Sequence, residues 1–188
     1  MTRTNTKTVM ILNAPPNTGK DYIAELMCKL HADIIQQMFK DSLYAETAKF
    51  FDVPEDTLRE WCADRFTKEQ SSPHLGHRSP REALIYASED LLKPVYGRTY
   101  FGDKLAERVH QSPFNVHVVS DGGFEDELTP LYDAGYKVIL VRMERKGCDF
   151  GRDSRRYLSR PDYTVYNNGN AISTVNHLFD ILHKEGAL

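Results

Sequence analysis

The chain has 188 residues, a formal net charge of −3 and a 40% hydrophobic composition. That length suits one domain with a substantial core. The charge excludes a nucleic-acid binder that works through a broad basic face, and no apolar run is long enough to span a membrane. Cys28, Cys62 and Cys148 are odd in number and far apart. They make no metal spacing and no disulfide framework, and they fit a reducing cytoplasm, as does the lack of a signal-peptide pattern.

Residues 1–7 read as a frayed polar lead-in. Val9 to Leu12 is a short apolar run, the length of one buried strand. Ala14-Pro15-Pro16-Asn17-Thr18 ends it, since two prolines lack N–H groups and fix φ. From Gly19 to about His31, Ile23, Leu26, Met27 and Leu30 recur at helical spacing. A strand, a tight loop and a helix opening on Gly19-Lys20 is the layout of a phosphate-binding P-loop, where free backbone N–H groups and a lysine face an anion. The motif is not complete. Ala14 stands at the first glycine position, and Asp21 stands where a hydroxyl would hold Mg²⁺. The alternative reading is an ordinary βα turn in which Gly-Lys is coincidental.

Ala32 to Phe39 reads as a second strand, with Lys40-Asp41-Ser42 following it. Residues 42–51 form a helix, and Pro54 restarts another that carries Leu58, Trp61 and Cys62. Residues 63–78 turn polar and read as an exposed, mobile loop. His74 and His77 lie in it without the further ligands a metal needs. Ser79-Pro80-Arg81-Glu82 is a capping-box helix start, and that helix runs through Leu91 and Leu92 to Pro94. Another spans Tyr100 to His110.

Val116 to Ser120 is a further strand and ends in Asp121-Gly122-Gly123. An acid at the end of a buried parallel strand is either a Mg²⁺-anchoring group or a simple capping aspartate. Glu125 to Ala134 is a helix stopped by Gly135, and Tyr136 to Val141 is the next strand. Residues 142–160 hold Arg142, Arg145, Arg152, Arg155, Arg156 and Arg160, either a solvated face or a phosphate-facing lid. Tyr163 to Tyr166 is the last strand. A helix carrying Ile172, Val175, Leu178, Phe179 and Leu182 closes the chain. Strand and helix alternate about five times, which predicts an α/β fold: a three-layer α/β/α arrangement on a central parallel five-stranded sheet.

In these blocks and their order the chain resembles the P-loop nucleoside monophosphate kinases, and more closely the deoxynucleoside monophosphate kinases of bacteriophages. Gly19-Lys20-Asp21 is similar to that family's P-loop ending, which already carries Asp. Met38 to Leu43 is similar to its Phe-Ala-Asp-Pro-Leu segment, and Ser79 to Glu82 to its Thr-Pro-Arg-Glu helix start. Val119 to Phe124 is similar to its Ser-Asp-Val-Arg-Phe block, and Tyr163 to Gly169 to its Asp-Tyr-x-Ile-x-Asn-Asp-Gly end. Two departures stand out: Gly123 replaces the arginine of the fourth block, and Tyr22 replaces the threonine after the P-loop aspartate.

The resemblance implies a single P-loop kinase domain with a helical acceptor-binding insert at about 40–112 and an arginine-rich lid at about 142–160. It implies transfer of phosphate from ATP, with Mg²⁺, to a deoxynucleoside monophosphate. Such a monomer or homodimer would supply DNA precursors in the cytoplasm, that of the host if the chain is viral. Ala14, Asn17, Thr18, Gly19, Lys20 and Asp21 would then hold ATP, and Asp21 and Asp121 the Mg²⁺. Lys20, Arg142, Arg152 and Arg156 would stabilise the transferring phosphoryl group. Lys40, Ser42, Arg81 and Asp121 would bind the acceptor, although Arg81 also reads as an exposed first-turn arginine. Two other readings stay open: a dephospho-CoA kinase-like enzyme acting on a ribose hydroxyl, and a nucleotide-binding protein that has lost catalysis.

Overall fold

In the computed structural model the described residues are 6–151, 153 and 155–188. The first five residues of the polar lead-in, and the lid candidate Arg152, lie outside them. Five strands form one parallel sheet: β1 (Thr8–Asn13), β2 (Ile34–Gln37), β3 (Val116–Val119), β4 (Lys137–Glu144) and β5 (Tyr163–Tyr166). Their order is β2-β3-β1-β4-β5, with Met10 opposite Val118 on one side and Ile139 on the other. Central β1 is buried along its whole length, which explains an apolar run without polar alternation.

Alternate residues of β1 serve two cores. Met10 and Leu12 pack with Ile23, Met27, Val141, Leu178 and Leu182, beneath α1 (Lys20–Leu30) and α8 (Ala171–Lys184). Val9 and Ile11 pack with Phe101, Leu105, Leu131 and Leu140, beneath α6 (Tyr100–Gln111) and α7 (Thr129–Asp133). The three-layer α/β/α arrangement read from the sequence is therefore present. β1 has its sequence successor β2 beyond β3 on one flank and β4 on the other, so the strand order reverses at its C-terminal end. That is where open parallel sheets form a ligand crevice.

Several boundaries differ from expectation. α2 (Lys40–Phe51) starts two residues early, directly after the β2 turn. The helix expected from Glu125 is a 3₁₀ turn, Glu125–Glu127, followed by α7; Pro130 has no N–H to continue a ladder from the first piece into the second. The rod that starts at α4 (Pro80–Tyr86) does not stop at Pro94. It widens into a π-helical turn at Ala87–Leu92 and runs on as α5 (Lys93–Tyr96). The wider turn moves the proline ring off the carbonyl it would strike in a regular α-helix.

Residues 63–78 are also not the loose loop expected. They follow α3 (Glu55–Ala63) with two 3₁₀ turns, Thr67–Glu69 and Pro73–Leu75, and an antiparallel bridge joins Ser72 to Arg78. Leu75 anchors the segment. It is wholly buried against Ala48, Leu58, Cys62 and Ala83 in a third cluster, a burial that stabilises by about 2 kcal/mol for a side chain of this size. β4 ends three residues later than read, which places Arg142 in the sheet opposite Asn13 and Thr164 rather than in a lid. No helix among the described residues is long and apolar enough to cross a membrane.

Candidate active site

The loop after β1 turns through two left-handed residues, Asn17 (φ 64°) and Gly19 (φ 88°). Gly19 caps α1 with no side chain of its own, so the first N–H groups of that helix stay available to an anion. Lys20 lies across the loop, 5% exposed, and its Nζ donates to the Pro15 carbonyl at 3.2 Å. The Thr18 hydroxyl donates to that same carbonyl. Burial depresses the Lys20 ammonium below its ordinary range, opposed by Asp21 and reinforced by Arg155 and Lys40. Asn167 fixes the loop from outside. Its Nδ2 donates to the Thr18 carbonyl at 2.7 Å, and its Oδ1 accepts from Thr174 at 3.0 Å. Arg65 donates to the Asn17 side chain at 2.9 Å. Ala14 is buried in the sheet–α1 core.

Asp21 sits at the mouth of this loop. Its Oδ1 accepts from Ser120 at 2.7 Å, and Ser120 in turn accepts from Gln36 at 3.0 Å. Among the described residues its Oδ2 has no partner, which leaves one oriented carboxylate oxygen. Mg²⁺ bound with nucleotide phosphates needs only one or two such oxygens, so Asp21 fits the ion. Asp121 is placed differently. Its two oxygens accept from the backbone N–H groups of Phe39 (2.9 Å) and Lys40 (3.0 Å). It therefore caps α2, whose first residues have no other side-chain cap, and burial pushes its carboxyl up against the pull of Lys40 and those N–H groups.

Beside the loop a cavity of about 410 Å³ opens between α2, the α4 rod, α6 and the turn after β3. Lys40, Arg81 and Asp121 line it, and so do Lys68 and Arg155. Arg81 is braced by Glu69 at 2.7 Å. Lys68 titrates below its ordinary range because it is buried and because Arg81 and Lys40 repel it. Ser42 is not on this wall. Its hydroxyl accepts from Arg108, which also donates to Gln37 Oε1 (3.1 Å) and the Met38 carbonyl (2.6 Å) and so ties α6 to the β2 turn.

The arginines sort unlike expectation. Arg142 lies over the Tyr157 ring at 3.9 Å and beside Glu144 at 2.9 Å. Arg156 turns its guanidinium onto the Asp153 and Arg155 carbonyls. The arginine that enters the cavity is Arg155, held by Asp153 at 2.6 Å. Burial raises the Asp153 carboxyl, but its bonds to Arg155 outweigh that and bring it down to about 2. The stem of Arg155 runs over Gly123, where a Cβ would come within 2.6 Å of Arg155 Cβ and Cγ. Asn13 clamps this crossing: its Nδ2 donates to the Gly122 and Arg156 carbonyls, each at 3.0 Å, and its Oδ1 accepts from Leu158 N at 2.8 Å. The motif reading missed Arg155, Lys68, Asn13 and Asn167. The paired glycines after Asp121 were the only local signal, since they mark a close approach of some other segment.

The sheet order, the loop between β1 and α1, and the lysine laid across it now stand together. The chain has the P-loop kinase fold. No protein-family profile and no curated protein sequence matches it. Solved structures do. The APS kinase of Mycobacterium tuberculosis, solved with AMPPNP and APS, superposes with a TM-score of 0.52 over 95% of this chain and 98% of its own, at 15% identity. The shikimate kinase of Aquifex aeolicus (TM-score 0.48, 12% identity, 95% of this chain and 98% of its own) and a gluconokinase of Sinorhizobium meliloti (0.47, 11%, 97% and 99%) are more distant.

Within this P-loop kinase fold one acid stands out electrostatically. Glu127 is buried, and desolvation first, then repulsion from Asp121, lifts its carboxyl from an ordinary 4.5 to about 8. The folded protein therefore keeps a proton that the unfolded chain releases above pH 4.5. That contribution to stability is fully present below 4.5, declines as pH rises towards about 8 and is lost beyond it. The slope is up to about 1.4 kcal/mol per pH unit within that window. Glu127→Gln is expected to gain stability over the unsubstituted protein progressively from pH 5 to pH 8.5. Urea denaturation at several pH values checks this; a difference that is flat with pH would contradict it.

Proposed function

We propose that the protein transfers the γ-phosphoryl group of ATP to the phosphate of a deoxynucleoside monophosphate, giving ADP and the diphosphate. The observation that carries this reading is the charge of the cavity. Lys40, Lys68 and Arg81 bring three cations together in a cavity whose Lys40 and Arg155 also act on the P-loop lysine Lys20. Mutual repulsion in a half-buried site disfavours that grouping unless an anion joins it. An acceptor phosphate is such an anion, and about 410 Å³ is in the range of small-ligand sites. The deoxy sugar rests on the sequence resemblance.

In this mechanism an acceptor phosphate oxygen forms the new P–O bond as the bond from the γ-phosphorus to the β,γ-bridging oxygen breaks, and ADP leaves. The acceptor is already ionised near neutral pH, so no strong base is needed. The work is positioning and charge neutralisation. The backbone of Asn17 to Lys20 would hold the ATP phosphates and Lys20 the β- and γ-oxygens. Arg155 would meet the charge on the group in flight, with Arg152 and Arg156 as further lid arginines. Lys40, Lys68 and Arg81 would hold the acceptor phosphate. Mg²⁺ would supply further charge neutralisation on the ATP phosphates. Asp21 is its first candidate ligand, and Asp121 stands behind as the cap that sets the α2 end of the cavity.

The test is an ADP-release assay with ATP, Mg²⁺ and each of dAMP, dCMP, dGMP and dTMP, with dephospho-CoA as the hydroxyl acceptor. Turnover with one or more monophosphates is expected. Phosphorylation of dephospho-CoA alone, or ATP binding with no turnover on any acceptor, would overturn the reading.

A further inference from the structure

Most charged groups lining the cavity have a partner. Arg81 has Glu69, Lys93 has Glu89 at 2.6 Å, Arg155 has Asp153, and Asp121 has two backbone N–H groups. Lys40 and Lys68 have no side-chain partner among the described residues and form its cationic end. Glu127 is the exception among the acids. It is 5% exposed, it lines the cavity, and among the described residues its carboxyl makes no hydrogen bond and no ion pair. The fold makes no use of this side chain, and the backbone N–H of Glu127 already bonds the Phe124 carbonyl at 3.3 Å. An apolar residue would fill the same space without the penalty of burying an unpaired polar group. A carboxyl so placed is spare bonding capacity directed at whatever enters the cavity.

The surroundings say what that is. Phe124 lines the same cavity, with Lys93 Nζ 5.0 Å from its ring, and the core residues Phe39 and Phe101 border it. Flat aromatic surfaces suit a planar heterocycle. A ligand with a phosphate for Lys40, Lys68 and Arg81 and a planar ring for the phenylalanines is a nucleoside monophosphate. We infer that Glu127 reads the base of the acceptor nucleotide by a paired hydrogen bond to a base edge in which an N–H donor lies beside an acceptor. This rests on the monophosphate-kinase reading above and names the residue through which that site would hold its base. The carboxyl is protonated over most of the neutral range. It therefore offers one O–H donor and one carbonyl acceptor side by side, the complement of such an edge. An ionised carboxylate would instead match two adjacent donors.

The two chemistries separate by substitution. Glutamine keeps a donor beside an acceptor at nearly the same volume, whereas leucine has neither. The experiment is calorimetric titration of dAMP, dCMP, dGMP and dTMP, and of the base-free 2-deoxyribose 5-phosphate, into the full chain, Glu127→Gln and Glu127→Leu. Thermal unfolding is measured alongside. For the tightest-bound nucleotide, Glu127→Leu is expected to weaken binding at least about tenfold, and Glu127→Gln less than about threefold. The base-free phosphate should bind all three proteins alike, and neither variant should melt below the parent at pH 8.

Nucleotide affinity unchanged in Glu127→Leu would overturn the inference. So would equal losses in both variants, which mark a carboxylate reader, or an equal loss of the base-free phosphate, which marks a disturbed cavity. A parent chain that binds no monophosphate overturns it as well. Binding that behaves as expected with no turnover would remove the kinase reading and leave the base reader standing, so the two failures are distinguishable.

Discussion

Lys20→Met is expected to lower phosphoryl transfer by about 10³-fold while leaving the protein folded and no less stable than the parent. The chemical half follows from position. Lys20 is the cation laid across the phosphate loop, within the electrostatic reach of Asp21, Asp121 and Arg155. Its ammonium lies over the loop that leads into the α1 N-terminus, bonded to the Pro15 carbonyl. Removing one preorganised donor from a developing negative charge costs about 10²–10³-fold in turnover, and more where the donor is a full charge. The stability half has the opposite sign. The ammonium is almost wholly buried with one hydrogen bond, to Pro15, at 3.2 Å. Burying a charge so thinly partnered is unfavourable, as the depression of its pKa by desolvation records. Methionine keeps most of the stem and removes that penalty. ADP release with the best acceptor, beside the melting temperature, checks both halves. An inactive variant that also melts early would indicate a lysine that merely holds the loop together.

How far the sequence discloses this site depends on the range of the interaction involved. The β1–loop–α1 unit is legible because its causes are local: four apolar residues, two prolines and a glycine able to take φ 88°. The Ser79 start is legible for the same reason, and both halves of its capping box are present, Glu82 N to Ser79 Oγ at 3.2 Å and Ser79 N to Glu82 Oε2 at 2.8 Å. Leu75 is an isolated apolar residue in a polar stretch, and its burial is decided by four residues from three other elements. Arg142 reads as the first residue of a charged run. It lies in β4 because Met143, one place on, is buried in the core and β5 supplies partners as far as Glu144. Glu127 ends an acidic triplet that looks like a solvated helix start, and only the packing around it shows otherwise. Among the arginines of residues 142–160 no local feature picks out Arg155. The choice is made by Asn13 and Gly123, 142 and 32 positions away along the chain.

That choice gives the second large expectation. Arg155→Ala should reduce turnover by about 10²–10³-fold with a smaller change in the KM for ATP, and Gly123→Ala should reproduce most of that loss without touching the guanidinium. The sequence resemblance places an arginine at position 123, and this chain has glycine there instead. The structure shows what the glycine permits: the Arg155 stem occupies the space a side chain would take, with Cβ, Cγ and Cδ at 2.6, 2.6 and 2.9 Å from a Cβ built on Gly123. The guanidinium is then aimed by Asp153 into the field of Asp21 and Asp121. On that resemblance one cation near the P-loop would be exchanged for another that arrives from residues 142–160, and the exchange would require the absence of a side chain at the crossing. Two residues acting as one unit should not add. Gly123→Ala combined with Arg155→Ala is therefore expected to be no slower than Arg155→Ala alone: the new methyl group still meets the Cβ of residue 155, but no guanidinium is left for it to misplace. Arg155→Lys should not rescue, since a single ammonium cannot both hold the Asp153 carboxylate by two bonds and face a phosphoryl oxygen. Steady-state kinetics on the four variants decides it. Additive losses would mean that Gly123 serves the backbone turn after β3 and that Arg155 is placed by Asp153 and Asn13 alone.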